Sequence, residues 1–230
     1  MKVYNVADFV KRTVTTDWAV EKLVPAYGLN VLYSAPKVGK SILTIQLAHC
    51  LSLGSDFLGF RVKPHPKGSW KVLYVQGDMP EVDWIAQLKY INLISSDWST
   101  LHTPPGALTR PIEVKEIIDH AKDFNFIIID SLVSMFNGPE LKDPSQARMI
   151  TDRLRSLHPT APIWVIHHKR KSAPGMPDNS SDSMVGSYAL AADISVKYQL
   201  SRSGLYAEGR VVKQDIDLQR TSTGLWERVP

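Results

Sequence analysis

The chain has 230 residues, with 27 basic and 23 acidic side chains and a formal charge of +4. That length holds one domain with a full core, with or without a small appendage. A hydrophobic fraction of 43% and a charged fraction of 22% exclude a disordered chain, no apolar run approaches the ~20 residues of a membrane span, and the single Cys50 excludes an internal disulfide.

The start of the chain lacks the apolar stretch of a secretory signal. With a lone cysteine read as a small buried residue, this gives the cytoplasm as the expected compartment. Residues 1–28 form a lead-in, with a short helix expected over residues 6–13 and apolar positions at Trp18, Leu23 and Val24. Residues 29–33 read as a buried strand. Then comes Ser34-Ala35-Pro36-Lys37-Val38-Gly39-Lys40-Ser41, and an apolar stretch over 42–51 that reads as a helix ended by Gly54. Strand, tight loop, Gly-Lys-Ser and helix is the layout of a phosphate-binding P-loop. Backbone N–H groups from Ser34 to Ile42 would curl around a phosphate at the positive end of the helix dipole. Lys40 would reach the outer phosphates and the Ser41 hydroxyl would ligate Mg²⁺, so a nucleoside triphosphate is the expected ligand. Ser34 stands where this motif has its first glycine.

A strand over residues 70–75 ends at Gln76-Gly77-Asp78, and helical spacing follows over residues 80–93. A further helix is expected over 113–122. The β-branched run at 124–129, closed by Asp130-Ser131, reads as a strand buried on both faces. Asp143 and Pro144 open a helix running to 157. A strand over 162–166 ends in His167-His168. A loop rich in Ser, Pro, Gly and Asn occupies 169–182 and is expected to be mobile. A meander of strands at 194–200, 205–213 and 224–228 closes the chain. Strands alternating with helices predict an α/β fold, a mostly parallel sheet covered on both faces, with an antiparallel C-terminal extension. Ligands of such sheets bind beyond the carboxyl ends of the strands.

Several polar residues fall at those ends. Asp130 follows an apolar strand, where a P-loop protein carries its Walker B carboxylate for Mg²⁺. Asp78 would orient or deprotonate the water attacking the γ-phosphate, or simply cap the next helix. Of His167 and His168, one would face the site and the other point away, because strand side chains alternate. Lys169, Arg170 and Lys171 read as contacts to a nucleic-acid backbone, or as a solvated charge run.

Taken together, these residues resemble the RecA-type ATPases, and more narrowly the RepA-like hexameric helicases. The resemblance is carried in order by residues 17–25, the turn at 54–59, Val72-Leu73-Tyr74-Val75-Gln76-Gly77-Asp78, Ile128-Ile129-Asp130-Ser131-Leu132, His167-His168-Lys169-Arg170-Lys171 and Gly186-Ser187-Tyr188. It implies a single RecA-like P-loop domain over 1–230, an ATP- and Mg²⁺-dependent hydrolase and a hexameric ring on single-stranded DNA. It also implies helicase action in replication, with a primase or other replication proteins as partners and no membrane. Within it, Asp78 takes the place of a catalytic glutamate, and His168 links the γ-phosphate to the loop facing DNA. Arg210 and Lys213, on a late strand, are candidates for a finger supplied to a neighbouring subunit. An accessory or recombinase-like ATPase without unwinding, or a nucleotide-dependent interaction module with little turnover, remains open. Asp78, one methylene shorter than glutamate, and Val185, where the family often has a basic residue, are departures from its pattern.

Overall fold

A computed structural model provides the structure, which describes residues 5–7, 17–93, 98–137, 143–168 and 193–229. Strands β1 (Trp18–Val20) and β2 (Val24–Pro25) form a small antiparallel pair. The main sheet has nine strands: β3 (Leu29–Ser34), β4 (Val72–Gln76), β5 (Trp98–His102), β6 (Phe126–Asp130), β7 (Ile163–His168), β8 (Ile194–Leu200), β9 (Gly204–Gly209), β10 (Lys213–Arg220) and β11 (Trp226–Arg228). Their order across the sheet is β11-β10-β9-β8-β3-β7-β6-β4-β5. All pairings from β8 to β5 are parallel, and those from β8 outward to β11 are antiparallel.

Helix α1 (Lys40–Leu53) and helix α2 (Glu81–Ile91) cover one face of the sheet. Helix α3 (Pro111–Ala121), the short α4 (Leu132–Met135) and α5 (Pro144–Ser156) cover the other. Strand alternation divides the core accordingly. Tyr74, Phe126, Ile128, Trp164 and Tyr198 face α1 and α2, while Leu73, Val75, Ile127, Ile129 and Val165 face α3 to α5. Both faces are buried, which is why β6 reads as a continuous apolar run. Two buried aromatic groups on the α1 side find partners for their polar tips: Tyr198 Oη donates to the Leu23 carbonyl at 2.7 Å, and Trp164 Nε1 to Thr44 Oγ1 at 3.2 Å.

The predicted α/β class and the two covered faces agree with this architecture. Differences lie at the sheet's margins. Strand β5 was not foreseen, because its Trp-Ser-Thr-Leu-His sequence lacks an apolar run and only Trp98 is buried. The single strand expected over 205–213 is instead a hairpin: β9 ends at Gly209 and β10 begins at Lys213. Arg210 therefore sits in a turn, and only Lys213 is on a strand. Register places that turn level with Asn30 at the amino end of β3, since Asn30 pairs with Val196 and Val196 with Gly209. The expected helix at 6–13 lies mostly outside the described residues, as do the loop at 169–182 and the segment at 185–188. Among the described residues no helix is long and apolar enough to cross a membrane.

The extension does not end at the sheet edge. Trp226 on β11, 3% exposed, exchanges two hydrogen bonds with the Gln46 side chain on α1: N to Oε1 at 2.8 Å, and Nε2 to the carbonyl at 2.9 Å. Replacing Trp226 with Ala removes a buried aromatic while keeping the main-chain groups that bond Gln46, so urea unfolding is expected to show a loss of about 3–5 kcal/mol from the lost packing.

Candidate nucleotide site

The loop after β3 turns sharply into α1. Lys37 has φ 62° and Gly39 has φ 112°, whereas Ser34 does not lie in the left-handed region. The serine in place of the first glycine is thus accommodated as an extended strand residue, and positive φ falls later, at the glycine that precedes Lys40. Ser34 is fully buried and its hydroxyl donates to the Ala35 carbonyl at 2.7 Å. The Lys40 ammonium, 7% exposed, donates to Ser34 Oγ at 3.2 Å and to the carbonyls of Ala35 at 3.3 Å and Ser34 at 3.4 Å. Burial holds its pKa below the ordinary lysine value, against the pull of Asp130 and Asp78.

Across the sheet, Ser34 pairs with His168, and Gln76 pairs with Asp130 on one side and His102 on the other. Parallel register therefore brings the carboxyl ends of β3, β7, β6, β4 and β5 to one edge, beside the amino end of α1. Asp130 is 1% exposed, and Tyr74 Oη donates to its Oδ2 at 2.6 Å. Burial raises the Asp130 carboxyl to about 6; the Asp78 charge adds to this, and the Tyr74 hydroxyl, Ser41 hydroxyl and Lys40 ammonium pull it back. Asp78 is exposed, and its Oδ1 accepts from Ser131 Oγ at 2.8 Å. Ser131 also caps α4, with reciprocal bonds between it and Ser134. One serine thus ties the residue after Asp130 to Asp78. Proline, not Asp78, occupies the cap position of α2.

His168 is half-buried, and both Lys40 and Asp78 act on it. Burial and the lysine hold its pKa below the ordinary value while Asp78 opposes them, so the imidazole is neutral at pH 7. His167 is fully buried and lies on the opposite face, beside Tyr33. Lys169, Arg170 and Lys171 lie outside the described residues. Lys40, Ser41, Asp78, Asp130 and His168 are gathered together. Arg210 is at the far end of the strands, whereas Lys213 is level with Val31 near the middle of β3, through Glu208 and Lys197.

Four residues that sequence reasoning passed over belong to the same neighbourhood: Tyr74, Gln76, Arg220 and Trp226. The Arg220 guanidinium lies over the Trp226 ring, 4.3 Å from its centroid, and donates to the Val38 carbonyl at 3.3 Å and to that of Gly224. Trp226 Nε1 donates to the Gly39 carbonyl at 3.3 Å. Glycine is favoured at 39 by its φ of 112°, and a Cβ there would come within 2.0 Å of Arg220 Nη2 and displace the guanidinium.

A family profile described as an AAA domain matches residues 3–174. The chain belongs to the AAA family. As a member of this P-loop ATPase-type family it is a nucleotide-dependent ATPase in general terms, with the mixed α/β core described above. No curated protein matches the chain. Among the described residues no group of three or more His, Cys, Asp or Glu side chains is gathered for a metal.

The raised Asp130 carboxyl has a consequence for stability. Its folded pKa of about 6 exceeds the ordinary 3.8, so the folded state binds the proton more tightly. Stability is then lost as pH rises through that window and stays lost above it. Replacing Asp130 with Asn is expected to raise the metal-free melting midpoint at pH 8, with a gain in unfolding free energy of up to about 3 kcal/mol on this linkage. The gain shrinks at pH 5. Scanning calorimetry at the two pH values checks the sign.

Proposed function

We propose that this AAA protein is an ATP-dependent motor that assembles as a ring and translocates on single-stranded DNA, acting as a helicase in replication. The observation that carries this reading is the position of His168. It lies within electrostatic reach of both Lys40 and Asp78, and the chain runs from it directly into Lys169-Arg170-Lys171. A neutral imidazole there would hydrogen-bond the γ-phosphate and pass its presence or absence to a basic segment suited to a phosphate backbone.

In this reading Lys40 and the P-loop amides from Ser34 to Ile42 hold the phosphates, and Ser41 and Asp130 hold Mg²⁺. Bound magnesium would neutralise charge developing on the transferred phosphoryl group. Asp78 orients the attacking water, with its carboxylate steadied by Ser131. The family likeness seen in the sequence motifs supports the ring, with Arg210 and Lys213 facing a neighbouring subunit. Arg210 lies at the opposite end of the strands from its own site, which is compatible with a role in a neighbour's.

One observation favours a second reading, an interaction module with little turnover. Asp78 is already engaged by the Ser131 hydroxyl and is a short side chain for reaching a water beyond the γ-phosphate. ATP hydrolysis by the purified protein, with and without single-stranded DNA, separates the two. The motor reading expects DNA to stimulate turnover, and Lys40→Ala to lower it by ~100-fold or more. Neutralising Lys169 and Lys171 should weaken DNA binding and flatten its dependence on salt. Nucleotide binding without DNA-stimulated turnover would favour the module.

A further inference from the structure

Gln76 is the last residue of β4 and is fully buried, yet neither its Oε1 nor its Nε2 has a hydrogen-bond partner. Both halves of a buried carboxamide left unsatisfied are destabilising, so such a group calls for a physical reason. Its backbone is pinned: its carbonyl accepts from Thr103 N at 2.8 Å and Thr103 Oγ1 at 3.2 Å, and the next residue, Gly77, donates to the Asp130 carbonyl at 2.8 Å. A Cβ on Gly77 would meet Met135 Sδ at 2.8 Å, on the α4 side of the sheet. Alternation therefore turns Gln76 the other way, to the face of Tyr74 and α1. Its register partner on β6 is Asp130. The orphaned carboxamide thus stands beside the carboxylate that would face a metal, with Asp130 Oδ2 already taken by Tyr74.

We propose that Gln76 is a positioning residue for the divalent cation, its Oε1 accepting a hydrogen bond from a water in the cation's shell beside Asp130. The inference rests on the magnesium–nucleotide reading of the site. Mg²⁺ sheds its waters reluctantly, and each retained water needs an acceptor for its protons. Ser41 and Asp130 supply few, and a carboxamide adds one without adding charge to a place where Asp130 is already hard to ionise. Such outer partners commonly matter about 10–100-fold to metal affinity or activity.

The test uses the full chain with Gln76→Met, which keeps length and removes the polar atoms, and Gln76→Glu, which keeps an acceptor. Three quantities are read: the melting midpoint without metal or nucleotide, the affinity for a fluorescent ATP analogue in chelator, and the Mg²⁺ concentration that half-saturates the gain in that affinity. For Gln76→Met the midpoint should hold or rise and affinity in chelator should not change. The Mg²⁺ requirement should increase about 10-fold or more, while Gln76→Glu stays within about threefold of wild type. A Gln76→Met protein that melts several degrees lower with an unchanged Mg²⁺ requirement would overturn the inference, since the carboxamide would then be structural. So would no change in any quantity. A wild-type chain that binds no magnesium nucleotide would instead overturn the site reading and this inference together.

Discussion

A carboxylate out of water at the end of β6 is the constraint around which the site is arranged. Asp130 is 1% exposed between parallel strands, where an isolated ionised group is strongly disfavoured. The neighbours divide the burden. Tyr74 donates to the carboxylate from the adjacent strand, and the Lys40 ammonium and Ser41 hydroxyl act on it from the start of α1. Tyr74 is itself fully buried and packs against Trp84, with ring centroids 4.8 Å apart. Trp84 Nε1 in turn donates to Thr100 on β5 at 3.0 Å. One buried charge therefore sets residue types on four elements, and a strand as short and polar as β5 has its place partly through that chain of contacts.

A second constraint holds the P-loop. A non-glycine residue with positive φ, Lys37, and a glycine at φ 112° lie two residues apart. Backbone of this kind persists only where its surroundings over-determine it. Here the surroundings include β10 and β11: Arg220 and Trp226 donate to the carbonyls of Val38 and Gly39, and Gln46 bonds back to Trp226. The family match ends at residue 174, whereas the extension begins at Ile194. The loop that the family profile shares is therefore held in place by residues that lie outside the matched span.

The legible part of this protein was the part written locally. The P-loop, the apolar run of β6 and the strand-end acids each occupy a few consecutive residues, and the physics that selects them acts over those residues. Parallel register then follows from burial on both faces, which is why Ser34, Asp130 and His168 could be placed on one edge in advance. What escaped was non-local or marginal. Trp226 meets Gly39 across 187 residues of chain and Tyr74 meets Asp130 across 56, and no periodicity announces either contact. Gln76 reads in sequence as a polar strand terminator like many others; its burial only becomes visible once Asp130 and Thr103 are in place. The β9–β10 hairpin was read as one strand because Val211 and Val212 continue the apolar character through a turn.

The two ends of the strands are built differently, and the contrast bears on function. At the amino end of β6, Asn125 has both halves of its carboxamide bonded: Oδ1 accepts from Lys71 N at 2.7 Å and Nδ2 donates to the Ser69 carbonyl at 3.1 Å. At the carboxyl end, Asp130 is held above its ordinary pKa, Lys40 below its own, and Gln76 has neither amide atom bonded. Each of these lowers stability, and a protein selected for stability alone would have removed them. Their demands are also complementary. A carboxylate and an ammonium disfavoured by burial, and a carboxamide lacking both a donor and an acceptor, would be met together by a hydrated divalent cation carrying a polyphosphate. An apolar ligand would satisfy none of them, and a simple anion only the lysine. On the proposed function, that edge and the Gly-Lys-Ser motif call for the same ligand.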